Sequence, residues 1–274
     1  LYFYSTMETR ETTYALRRRL HALDCRLSEA HTERMYLRSR QGHTWGVLHF
    51  PPNHEPGSEK VPALVCLHPL ASDKETFDYA LRHYREAGYA TLCVDLPAHG
   101  ELQQGPRLQA DSEWVGTLAL EALADHPDID VDRIGVLGGS LGAFYALRVA
   151  ARSPLAKVCI AFAAPFDLGA LGPAMVPGII HNFSTLTGAK TPQDLHRLGL
   201  DFHLRDVTPN VHCPVALVHG TRDSVCDFTM TYAIASSLSA PVSVIPIPGA
   251  DHEVSYPDLP AVSEPAIAWL REHL

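Results

Sequence analysis

The sequence predicts an α/β domain built on a mostly parallel eight-stranded sheet with helices on both faces. Two observations carry this. From residue 63 to the C terminus, short near-continuous apolar runs alternate with helical stretches, the pattern of strands buried on both faces of a sheet. In the middle of that alternation stands Gly138-Gly139-Ser140-Leu141-Gly142, a G-x-S-x-G string between an apolar run and a helical one.

In chain order, residues 1–6 read as the scar of a cleaved purification tag, which places the natural start at Met7. Residues 7–30 form an N-terminal helical segment. Its stripe of Leu16, Leu20, Leu23 and Leu27 at helical spacing packs either on the body or on a second subunit, so a homodimer is a candidate assembly. Residues 31–274 form one domain. Residues 34–40 and 44–50 read as strands around a turn at 41–43, and 51–60 as a polar loop. Strands are then expected at 63–67, 91–95, 134–137, 158–161, 215–219 and 242–247. Helices are expected at 73–87, 111–125, 140–151, 228–238 and 259–273. The gap between 161 and 215 is too long for a plain connection. Residues 165–206 are therefore expected to be a cap insertion over the C-terminal edge of the sheet, where ligands bind in such folds.

Composition narrows the function. The hydrophobic fraction of 46% is enough for a large core, and the formal net charge of −9 disfavours nucleic acid and anionic membranes as partners. Arg17–Arg19 sit among acidic residues and read as a solvated helix face. The six cysteines include no C-x-x-C pair and read as reduced thiols, which fits a cytoplasmic enzyme. No apolar stretch reaches the ~18 residues of a membrane helix, and no signal-peptide core is present. No cofactor is implied and no metal site: His252-Glu253 does not continue to H-E-x-x-H, because Tyr256 holds the last position.

The strand 134–137 before Ser140 and the helical run after it supply the setting a nucleophile elbow needs. The turn forces Ser140 into strained backbone angles, and glycine at 138 and 142 removes clashes with side chains there. In this fold the acid follows the serine and the histidine comes last. Asp223, just past the strand 215–219, is the acid, with Asp227 as its competitor. His252, on the loop after 242–247, is the general base. The oxyanion hole takes the N–H of Leu141 and, because Pro69 has none, the N–H of Leu70. These assignments predict a serine hydrolase of the α/β-hydrolase fold.

With those residues placed, residues 62–255 resemble a narrower group: the fermentation–respiration-switch-type esterases, 2,6-dihydropseudooxynicotine hydrolase and the fungal hydrolases that shorten polyketide chains. Residues 70–75 (Leu-Ala-Ser-Asp-Lys-Glu), 88–91 (Gly-Tyr-Ala-Thr), 95–101 (Asp-Leu-Pro-Ala-His-Gly-Glu), 134–147 and 205–225 carry the likeness. The resemblance implies the triad Ser140, Asp223 and His252. It also implies that C–C bonds between carbonyls, as well as carboxylic esters, are cleaved. The chain departs from the group at His68-Pro69, at Ala143 and in a shorter N-terminal helical region. His68, Glu75, Phe166, Met175 and Phe183 are the candidate substrate contacts. Glu75 either polarises substrate or caps its helix. The cap aromatics face either an apolar or aromatic acyl substrate or the cap's own core. An acyltransferase or cyclase would use the same triad, and a non-catalytic binding module would keep only the fold.

Overall fold

Val61–Leu67 (β3), Ala90–Val94 (β4), Ile129–Gly139 (β5), Cys159–Phe162 (β6), Val215–Gly220 (β7) and Val242–Ile247 (β8) supply the parallel part of the sheet. β4 and β6 are buried at every position, because helices cover both faces. Thr32–Arg38 (β1) and His43–His49 (β2) form an antiparallel hairpin that joins β4 at the sheet's edge. Among the described residues the sheet has eight strands in the order β1-β2-β4-β3-β5-β6-β7-β8. The structure, a computed structural model, describes residues 7–27, 31–171 and 177–274. Residues 1–6, read as a tag scar, lie outside that range.

The helices are Met7–Leu27 (α1), Lys74–Tyr79 (α2), Arg82–Glu86 (α3), Trp114–Ala124 (α4), Leu141–Arg152 (α5), Leu168–Leu171 (α6), Pro177–Thr187 (α7), Pro192–Gly199 (α8), Thr229–Ser237 (α9) and Pro260–His273 (α10). Leu120 and Leu123 of α4 and Phe144 and Leu147 of α5 fill one face of the sheet. Phe77 of α2, Tyr84 of α3 and Ile267 and Leu270 of α10 fill the other. The cap holds α6, α7 and α8 between β6 and β7.

Three expectations shift. The first hairpin pairs Arg38 with His43, so its turn is residues 39–42, closed by Ser39 N–H donating to the Gly42 carbonyl at 2.8 Å. The helix expected over 73–87 is two, α2 and α3. Ala80 and Leu81 donate to Phe77 and Asp78, three residues back. That tighter turn re-aims the chain so that Phe77, Leu81 and Tyr84 all enter one core. The third shift concerns α1. Its leucines do not pack on the body: Leu16, Leu20, Leu23 and Leu27 are 52–75% exposed. The opposite face docks instead, through polar groups. The Tyr14 hydroxyl donates to Glu75 Oε1 at 3.1 Å and accepts from Lys74 Nζ at 2.9 Å. Arg17 pairs with Asp73, and His21 Nε2 lies 3.0 Å from Asp78 Oδ2. Apolar periodicity finds helices, but here a buried ionic cluster decides which face of the helix is inside.

Candidate active site

β5 ends at Gly139 and α5 begins at Leu141, leaving Ser140 alone to make the turn. Its φ of 52° and ψ of −115° are the strain the motif predicts. A Cβ at Gly142 would strike the Leu67 carbonyl, and one at Gly138 the Gly142 carbonyl. Glycine at both positions is therefore a packing requirement of the elbow. The Ser140 N–H donates to the Phe162 carbonyl of β6 at 2.8 Å, which ties the turn to the sheet.

Two loops at the same sheet edge bring the partners. His252 Nε2 lies 3.0 Å from Ser140 Oγ, and His252 Nδ1 lies 2.8 Å from Asp223 Oδ2. Asp223 Oδ1 accepts the N–H of Val225 at 2.9 Å and of Cys226 at 2.7 Å. Burial alone would raise the Asp223 carboxyl. Hydrogen bonds from His219 and His252 outweigh it and hold the group well below the usual carboxylate range. Asp251 caps the histidine's turn, accepting the His252 N–H at 2.8 Å. Asp227 bonds Thr229 at the start of α9, so Asp223 and not its competitor meets the imidazole.

Leu70 and Leu141 both line a cavity of about 200 Å³ beside Ser140 and His252. Neither backbone N–H has an acceptor among the described residues. For Leu141 this follows from its place as the first residue of α5. Phe183 of α7 lines the same cavity, as expected. Leu168, Ile179, Val225 and Tyr256 line it too, and sequence periodicity gave no sign of them. Leu168 and Phe183 also border a larger space of about 530 Å³ between α6, α7 and α8.

Three of the candidate substrate contacts lie elsewhere. His68 is fully buried: its Nδ1–H donates to the Pro69 carbonyl at 2.8 Å, and its Nε2 accepts the Leu96 N–H at 3.1 Å. It shapes the loop that carries Leu70 and does not line the cavity. Glu75 neither faces the cavity nor caps α2, since Asp73 accepts the Thr76 N–H there. It sits under α1 with Lys74 and Tyr14, and burial, with Asp95 nearby, pushes its carboxyl up to about 7. Phe166 packs against the main core. Met175 lies outside the described residues.

A second imidazole beside the acid was not foreseen. His219 Nε2 lies 2.8 Å from the Cys226 carbonyl and 3.1 Å from Asp223 Oδ2, and the Thr231 hydroxyl meets its Nδ1 at 2.7 Å. The only sequence sign was a polar residue ending an apolar strand.

A sheet whose C-terminal edge presents an elbow serine, an imidazole and a carboxylate in hydrogen-bonded succession defines a class of enzyme, the hydrolases of the α/β fold. The chain belongs to the alpha/beta hydrolase family, which matches residues 64–266. It is 31% identical over 166 residues to 2,6-dihydropseudooxynicotine hydrolase of Paenarthrobacter nicotinovorans, covering 60% of this chain and 45% of that protein. It is 32% identical over 130 residues to 20-hydroxy-prefusarin hydrolase of Gibberella moniliformis, covering 45% of this chain and 31% of that protein. The crystal structure of the 2,6-dihydroxy-pseudo-oxynicotine hydrolase shares the fold, with a TM-score of 0.87 at 24% identity over 98% of this chain and 76% of that one. The chain thus spans at most about half the length of the curated relatives it matches. Among the described residues no helix is long and apolar enough to cross a membrane.

Proposed function

We propose that this enzyme is a serine hydrolase that cleaves an acyl bond through a covalent acyl-enzyme on Ser140. The observation that carries the reading is the unbroken relay from Ser140 Oγ through both nitrogens of His252 to Asp223 Oδ2, at 3.0 and 2.8 Å, opening on an apolar cavity. In this reading His252 Nε2 takes the Ser140 proton as Oγ bonds to the substrate carbonyl carbon. The N–H groups of Leu70 and Leu141 hold the oxyanion. The intermediate collapses, and the imidazolium returns the proton to the leaving group. Water then attacks the acyl-enzyme with His252 as base, and free Ser140 is restored. Asp223 keeps the Nδ1 proton in place and stabilises the imidazolium.

The leaving group is an alkoxide when the substrate is an ester. It is an enolate when the bond joins the attacked carbonyl carbon to a carbon alpha to a second carbonyl, as in a β-diketone. The same groups serve both, and two of the relatives are named as hydrolases of 2,6-dihydropseudooxynicotine and of 20-hydroxy-prefusarin. The apolar lining of Ile179, Phe183, Leu168 and Val225 favours a small apolar or aromatic acyl group. The test is a panel of p-nitrophenyl esters beside β-diketones, assayed on wild type and Ser140→Ala. The expected result is turnover of at least one class, lost in the variant. Well-folded wild type that turns over neither class and takes no fluorophosphonate label contradicts the proposal.

A further inference from the structure

A second nucleophile–imidazole–carboxylate relay lies away from Ser140, where α1 docks on α2 and β2. Cys25 Sγ is 3.4 Å from His49 Nε2, and His49 Nδ1 is 3.0 Å from Asp78 Oδ1. A second imidazole, His21, places its Nδ1 3.6 Å from the same sulfur and its Nε2 3.0 Å from Asp78 Oδ2. The other five cysteines are buried, and Cys25 is partly exposed. It borders two cavities, of about 400 and 350 Å³, each within the size range of small-molecule sites. The smaller is lined by Arg18, Arg26 and Arg34 against one acid, Glu75. Arg18 and Arg34 pair with Glu101, and Arg26 makes no ion pair among the described residues.

We propose that Cys25 is a modification site at which a small anionic disulfide exchanges with the protein thiol. His49 Nε2 accepts the thiol proton, and Asp78 holds the opposite N–H. Cys25 Sγ attacks one sulfur of the disulfide, so a new S–S bond forms as the old one breaks. The departing thiolate takes the proton back from His49. The incoming disulfide is the oxidant, and Cys25 ends as a mixed disulfide. The arginine-lined cavity receives the carboxylates of the departing or retained arm.

The chemistry of the thiol agrees. Burial would raise it, but hydrogen bonds with His21 and His49 bring it down to about 7, so a large fraction is thiolate at neutral pH. A resident cation is a poorer account of the cluster. His21, His49 and Asp78 do offer ligand atoms within 4.8 Å of one another, but the guanidinium of Arg85 lies 3.0 Å from Asp78 Oδ1 and already supplies the positive charge.

The experiment is exposure of the folded chain to oxidised glutathione, followed by peptide mapping. One glutathionyl adduct on Cys25 is expected in wild type and in Ser140→Ala, and none in Cys25→Ser, whose unchanged circular-dichroism spectrum and unfolding midpoint report a native fold. His49→Gln should react about threefold more slowly, since the loss of thiolate is partly offset by higher intrinsic nucleophilicity. Arg26→Glu should slow oxidised glutathione about threefold and leave neutral 2-hydroxyethyl disulfide unaffected, the loss expected for one exposed charge contact. Reaction at another cysteine, reaction only in urea, or equal rates for wild type and His49→Gln overturns the proposal.

Discussion

The two relays are built alike and equipped differently. Ser140–His252–Asp223 spans 3.0 and 2.8 Å, and Cys25–His49–Asp78 spans 3.4 and 3.0 Å. Around Ser140 the fold adds a strained turn, two unengaged N–H groups and an apolar pocket. Around Cys25 it adds arginines; each relay's carboxylate has a second imidazole beside it, His219 at Asp223 and His21 at Asp78, but Asp78 also takes the guanidinium of Arg85. A relay makes a nucleophile. What surrounds it decides whether the electrophile is a carbonyl, which needs oxyanion donors, or a disulfide, which does not.

The largest effect that would break this contrast is on ester turnover in Ser140→Ala. Loss of the nucleophile should lower kcat on the order of 10⁵-fold or more, while the Cys25 exchange rate stays at the wild-type value. Stopped-flow release of p-nitrophenolate checks the first and adduct mapping the second.

Asp223→Asn should lower kcat about 10⁴-fold, by leaving His252 in the wrong tautomer. It also gives a pH signature. Folding holds the Asp223 carboxyl below its ordinary value, so its ionised form stabilises the fold fully above about pH 4, and that contribution is lost as pH falls through the folded value. Urea unfolding should show the stability gap between wild type and Asp223→Asn widest at and above pH 5 and narrowing in stronger acid.

Tyr14→Phe separates the two regions. It leaves Lys74 and Glu75 each short of a partner under α1, a loss of about 1–2 kcal/mol. Hydrogen exchange of the α1 amides should quicken about tenfold, with ester turnover unchanged within about twofold. Phe183→Leu acts on the other region and is smaller still. It should raise KM for an aryl ester about fivefold at constant kcat, the cost of a trimmed pocket wall.

The order of strands and helices was legible because burial on both faces writes itself as apolar runs, and the elbow because its glycines have no substitute. The loops carrying Asp223 and His252 were legible through chain order alone. What escaped the sequence are contacts between distant polar residues. His68 reads as a site residue by its position next to Pro69, yet its two ring nitrogens are spent on the backbone of Pro69 and Leu96. Glu75 and Lys74 read as a helix start, yet they anchor α1 from 60 residues away. Nothing in a local window links Cys25, His49 and Asp78, which come from three elements. The leucine stripe of α1 left its partner open for the same reason: spacing tells that a face is apolar and not what the opposite face will meet.

Mass analysis of the chain quenched during turnover of a slow p-nitrophenyl ester bears most directly on the central claim. The account predicts a single acyl adduct, mapped to Ser140, that is absent from Ser140→Ala and never found on Cys25. An acyl group carried by Cys25 or any other residue, or turnover that persists in Ser140→Ala, would contradict it.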